Sequence, residues 1–253
     1  MTGRLNQVNL AGRRPRTVVA MGRPLPAPPK LAVAEAGLLH ESRAELRHTA
    51  GTLVELHRLG ALRIEDPIRA PQRLVLLDPA AVTHGHHRAL LEGLFPVPRP
   101  GETRQLSGEG SETRHLQAAH AAMRQTLFEQ VASYSWYARL PARRLWRWSD
   151  GMLTTEGHRQ AEQVQSFAQY VGSASTDDLT RNDLIRLLPW ALVFGLGERW
   201  QELVHGPTGD DPAWWTEAGM FGIGRFRRGL AGFVRDTRVG GSDGPAGDGL
   251  GGE

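Results

Sequence analysis

Three imidazoles fall within five residues in "THGHH", Thr83 to His87. Neutral imidazole suits zinc, nickel and copper, so His84, His86 and His87 are the densest set of candidate metal ligands in the chain. No obvious fourth ligand stands beside them, and the segment opens a helix after a loop. The cluster therefore reads as a group of surface side chains, and no metal site is expected. In "HLQAAH", His115 and His120 are five apart, off the i, i+4 spacing that places two histidines on one helical face. "HESRAELRH" begins with His40 and Glu41 but lacks the second histidine of H-E-x-x-H, which excludes that metalloprotease motif. Gly219, Gly222 and Gly224 in "GMFGIGRF" run in the wrong order for a dinucleotide fingerprint, and no βαβ unit surrounds them. The single lysine, Lys30, sits among prolines, so no G-x-x-x-x-G-K-[ST] phosphate loop exists, and no G-x-S-x-G elbow occurs. No acid–base pair or nucleophile stands out. The expectation is a protein that is not an enzyme and needs no cofactor.

The elements that would position any site must come from 253 residues, of which 40% are hydrophobic and 23% charged. That composition supports a packed core and does not suit bulk disorder. The absence of cysteine excludes disulfides, Cys-ligated zinc, iron–sulfur clusters and a thiol nucleophile. The net charge of +3 is carried almost wholly by arginine, and it is uneven. Arg4, Arg13, Arg14, Arg16, Arg23 and Lys30 precede any acid. This leader, residues 1–30, ends in the proline-rich "RPLPAPPK" and reads as solvated and disordered, with a charge suited to phosphate on lipid or nucleic acid. The longest apolar run is "LLPWALVFGLG" from Leu187 to Gly197, eleven residues before Glu198 and Arg199. A membrane crossing needs about 20, so the run predicts a buried helix, and Gly195 and Gly197 fold it back as a hairpin.

Regular structure is predicted from Leu31. Ala50, Leu53, Val54 and His57 keep helical spacing, Gly60 stops that helix, and "ALRIED" and "RLVLLD" follow as two strands. Helices, a stop glycine and a hairpin give the order of a winged helix over residues 31–80. A second, less regular unit of this kind is predicted over 81–145. It comprises "HHRALLEGLFP", a polar loop, and a long helix with Leu116, Ala119, Met123, Leu127 and Val131 inward. A helical unit over 150–236 follows. Thr154 or Thr155 caps its first helix, and Pro189 is placed near a later helix start. The tail, 237–253, is glycine-rich and flexible. The fold class is thus mainly α (α+β).

Two contact surfaces can be nominated. A winged helix presents its second helix to the major groove, here about Arg47 to Leu59, with Arg47, Thr52 and Arg58 outward and Arg63 and Arg73 on the wing. That basic face is sparse, so nucleic-acid affinity is expected to be weak. Phe226 and Phe233 alternate with Arg227 and Arg228, the pattern of a helix lying on a membrane surface or packed against a partner.

The order of these pieces resembles one family. "RTVVAMGRPLPAPPKLAVAEAGLL", "TAGTLVELHRLGALRIED", "LLEGLFP", "LTTEGHRQAEQVQSFAQYV" and "RLLPWALVFGLGERWQELV" run as in the cytosolic portion of the YciQ-like predicted membrane proteins. The block holding Leu188, Pro189, Trp190, Gly195 and Trp200 is the most specific. Members of this family usually carry an exported domain and membrane helices, with further membrane helices between the second unit and the "LTTEG" block. Here that last position holds only "PARRLWRWSDGM". The resemblance implies a cytoplasmic interaction or scaffold module with a protein partner, at the inner face of a membrane but without a span of its own. The family supplies no catalytic residues. A DNA-binding regulator is the alternative.

Overall fold

The computed structural model describes residues 26–41, 43–65, 72–106, 110–138, 153–175, 179–205 and 226. It is mainly α with one small antiparallel sheet, as the sequence predicts. The helices are α1 (Val33–Glu41), α2 (Leu46–Arg58), α3 (Gly85–Leu94), α4 (Gly110–Ser133), α5 (Thr155–Ser173), α6 (Arg181–Val193) and α7 (Gly197–His205). The strands are β1 (Leu62–Glu65), β2 (Arg73–Leu76) and β3 (Thr103–Gln105).

Helix α1 is the hub. Every residue from Val33 to Leu39 is buried, because "VAEAGLL" is small or apolar around the whole helix apart from one glutamate. A helix apolar on all sides needs cover on all sides. It packs against α2, α4, α5 and α6.

Helix α2 ends in a Schellman motif. Gly60 has φ 75°, its N–H donates to His57 O at 3.1 Å, and Ala61 N–H donates to Leu56 O at 3.0 Å. The same motif closes α6, where Gly195 has φ 77° and Leu196 N–H donates to Ala191 O at 2.8 Å. These two glycines make the turns into β1 and α7.

The long apolar run is core. Leu187, Leu188, Ala191, Leu192 and Val193 of α6 are buried, and Trp190 meets Phe167 edge-on at 5.2 Å. No described helix is long and apolar enough to cross a membrane. Pro189 differs from its expected place: it lies inside α6 rather than at its start. The start is set by Thr180, whose Oγ1 accepts from Asp183 N–H at 3.2 Å while Asp183 Oδ2 accepts from Thr180 N–H at 3.2 Å. Packing against α2 holds the proline in the helix body.

The sheet also extends the sequence reading. The predicted hairpin pairs Leu62 with Leu76 and Ile64 with Leu74, and all four side chains are buried. The polar loop after α3 then supplies β3, pairing Val75 with Thr103 and Arg73 with Gln105. Residues 31–80 and 81–145 thus share one sheet, and α4 packs on α1 and α2 as well as α3.

The α2–α6 crossing depends on Gly51. A Cβ there would lie 2.5 Å from Val193 Cγ1 and 2.9 Å from the backbone oxygen of Pro189. Alanine gains about 1 kcal/mol of helix propensity over glycine, but overpacking costs about 1–3 kcal/mol, and a backbone oxygen cannot swing aside. Gly51→Ala is therefore expected to lower the urea midpoint, and Val193→Ala in that background to restore part of the loss. A midpoint at or above that of the unsubstituted chain overturns the close approach.

Candidate functional site

The three histidines of "THGHH" open α3. His84 is its N-cap, and His86 and His87 lie in its first turn. They are not the surface group that the sequence suggests. His86 is 0% exposed and His87 1%, and only His84 is partly open. The reason is α4. Helices α3 and α4 pack closely, with Gly93 against Ala119 and Gly85 against Thr126 and Gln130, and the His84 side chain reaches Glu35 in the first turn of α1.

Glu35 is the partner the sequence reading missed. It is the third residue of α1 and 1% exposed. Its Oε2 accepts from Ala32 N–H at 3.0 Å, the reach of a capping-box glutamate to the residue before its helix. Its Oε1 accepts from Gln130 Nε2 at 2.9 Å and Tyr134 O–H at 2.8 Å, and lies 3.6 Å from His84 Nδ1. Gln130, in the last turn of α4, and Tyr134, just past its end, share a bond of 2.7 Å between Gln130 Nε2 and the Tyr134 oxygen.

These contacts fix the tautomer of His86. A carboxylate only accepts, so the Gln130 nitrogen must face Glu35 and its Oε1 must face His86 Nδ1, 3.0 Å away. His86 Nδ1 then carries the proton. Its Nε2 keeps a bare lone pair, buried and without a hydrogen-bond partner. His87 is tied through Nε2 to Glu55 Oε2 at 3.1 Å, and that oxygen also accepts from Val33 N–H at 3.3 Å. The ring centroids of His86 and His87 are 4.5 Å apart, and His84 lies 5.5 Å from His86 and 5.1 Å from His87.

The charges follow from these surroundings. Burial pushes the Glu35 carboxyl up, but the bonds from His84 and Tyr134, the nearby His86 and Ala32 N–H together hold it below its ordinary value. The Glu35 bond raises His84 against its own partial burial. Burial drives His86 down to about 3, with the neighbouring His87 adding to the fall, so its ring is neutral near pH 7. One oxygen of Glu35 and one ring nitrogen each of His84 and His86 lie within 4.8 Å of one another. The arrangement can hold a cation or a proton.

The proposed nucleic-acid residues fall differently. Helix α2 is covered by α1 and α6, so it is not free to enter a groove. Thr52 is fully buried and donates to His48 O at 2.8 Å. Arg47 pairs with Glu41 and with Glu45, the latter at 3.0 Å, while Arg58 donates to Arg186 O at 3.2 Å. These two arginines stand at opposite ends of α2, about 16 Å apart along its axis. Arg63 and Arg73 share Glu65, with Nε–O distances of 2.9 and 2.5 Å. Of the proposed membrane residues, Phe226 is helical and 0% exposed, so its ring packs inside rather than facing lipid. Arg227, Arg228 and Phe233 lie outside the described residues, as does most of the basic leader. Leu188, Pro189, Trp190 and Trp200 of the family-like block are buried, and Gly195 makes the turn after α6.

Comparison with family models, curated proteins and solved structures finds no match to this chain.

Two further imidazoles, buried His48 and half-buried His120, set a pH dependence. Burial, the largest cause in each, holds His48 and His120 down to about 4. Unfolded histidine titrates near 6.5, so below that pH the unfolded chain binds protons that the folded chain refuses. Stability from this source is complete above about pH 6.5 and is lost as pH falls towards 4. At pH 5 each ring removes at most about 2 kcal/mol. His84 acts in the opposite sense, contributing below pH 6.5, and offsets part of the loss. The urea midpoint is expected to fall between pH 7 and 5, with a smaller fall in His120→Gln. A flat profile in the unsubstituted chain contradicts neutral rings at these two positions.

Proposed function

We propose that the chain is a non-catalytic interaction or scaffold module, resembling the cytosolic part of the YciQ-like predicted membrane proteins. The observation that supports this is a separation in space. The titratable cluster lies where α1, α3 and α4 meet, and His86 and His87 are closed to solvent. Two concave surfaces instead run along α5. One lies between α5 and residues 26–31, with Gln160, Gln163, Phe167 and Tyr170 on its helical side. The other is lined by Leu39, His40, His158, Gln165 and Gln169. Neither contains Glu35, His84 or His86.

Here the α5 surfaces mix aromatic faces, aliphatic stems and amide groups with His40, His158 and Glu162, the varied chemistry of a protein contact. The arginine-rich leader would add attraction to an anionic membrane surface.

The reading is tested by photo-crosslinking in cells that express the full chain. A benzophenone amino acid replaces exposed Gln163 on α5 or, as a control, exposed Gln125 on α4. Discrete adducts are expected from position 163 and not from 125. Equal or absent labelling at the two positions removes α5 as the contact surface.

A further inference from the structure

We propose that Glu35, His84 and His86 form a binding site for a divalent transition-metal ion, zinc being the best match to a set of imidazoles and a carboxylate. This inference is independent of the interaction reading.

It starts from a conflict at Gln130. The amide nitrogen lies 2.9 Å from Glu35 Oε1, 2.7 Å from the Tyr134 oxygen and 3.2 Å from His84 Nδ1. An amide nitrogen has two hydrogens and here has three neighbours. If His84 Nδ1 carries a lone pair, one neighbour goes without a hydrogen. If it carries a proton, that proton can turn to Glu35 Oε1, 3.6 Å away, but the ring nitrogen still sits 3.2 Å from an amide donor. Neither state satisfies every contact. A cation in place of the amide nitrogen meets the carboxylate and the imidazole lone pair together.

The spacing agrees. Zinc bonds of about 2.0–2.2 Å in a tetrahedron place ligand atoms about 3.3 Å apart. Glu35 Oε1 and His84 Nδ1 are already 3.6 Å apart, and the His86 ligand atom lies within 4.8 Å of both. His86 is fully buried, its Nδ1 rests on the Gln130 oxygen, and its Nε2 rests on nothing. A buried imidazole nitrogen left unpaired is costly unless another group takes up its lone pair. When the Gln130 side chain withdraws, Nδ1 loses its acceptor, the ring can carry its proton on Nε2 instead, and the freed Nδ1 lone pair joins the set.

The ligands are already oriented by outer contacts. Ala32 N–H holds the second oxygen of Glu35, and His87, bonded to Glu55, packs against His86. Outer contacts of this kind are characteristic of metal centres. His84, 35% exposed, provides the entry path. Three protein ligands leave a fourth position for water. A bound ion would join α1 to α3 through side chains rather than apolar packing.

The test uses the full chain without a histidine tag, stripped with a chelator and dialysed against micromolar zinc. The expected result is retention of about one ion per chain with a raised melting temperature. Cobalt(II) in place of zinc should give the visible absorption of a four-coordinate site. His84→Asn and Glu35→Gln should each weaken retention by about tenfold or more, His115→Asn should leave it unchanged, and Gln130→Ala should not weaken it. His84 is partly exposed, so His84→Asn remains informative if Glu35→Gln fails to fold, with circular dichroism as the check. Retention below about a tenth of an equivalent overturns the proposal. So does zinc that His84→Asn and Glu35→Gln retain as tightly as the unsubstituted chain.

Discussion

A carboxylate sealed from water sets the terms for the first half of this fold. Removing a charged group from water costs several kilocalories per mole unless donors replace the lost solvent. Glu35 is such a group, in a helix that is covered on every side. Its donors come from three places: the start of its own helix, the N-cap of α3, and the end of α4 with the turn after it. Helices that apolar packing alone would leave free to slide are thereby held in one register. Stripping a buried charge of its partner costs about 3–5 kcal/mol, well above a typical exposed ion pair.

The second half of the core works by closeness rather than charge. Helix α6 lies on α2 at a glycine, and Trp190, Phe167 and Phe194 form an aromatic cluster between α5 and α6. Aromatic rings meeting edge to face add about 0.5–1.5 kcal/mol beyond their buried area. The two halves meet in α1, which touches both sets of helices.

Much of this was legible in the residues. Helical periodicity places Leu116, Ala119, Met123, Leu127 and Val131 inward on α4, and all five are buried. Gly60 marks the end of α2, and Thr154, one of two candidates, caps α5 by accepting from Gly157 N–H at 3.1 Å. These are local signals, written within one turn of where they act. Pro189 and β3 were not legible, because each depends on a distant neighbour. Packing against α2 keeps the proline inside α6, and Thr103–Gln105 is too short and polar to announce a strand before β2 is present to pair with it. The imidazole cluster was visible as residue types but not as a site. Its carboxylate lies about fifty positions earlier in the chain, and Gln130 and Tyr134 follow at the end of a later helix and in the turn after it. A single glutamate in the apolar "LAVAEAGLL" was the available clue, since a lone charge in a helix with no polar face must find its partners inside.

The burial of α1 on every side has a consequence for how the protein is made. The helix is synthesised first, and the last described helix that covers it, α6, begins at Arg181, 140 residues after Glu41. At ordinary translation rates that gap lasts on the order of ten seconds. Throughout it a greasy helix and its unpaired glutamate wait for partners not yet synthesised. The nascent chain is a natural client for holding chaperones, and codons that slow translation before α6 would lengthen that dependence.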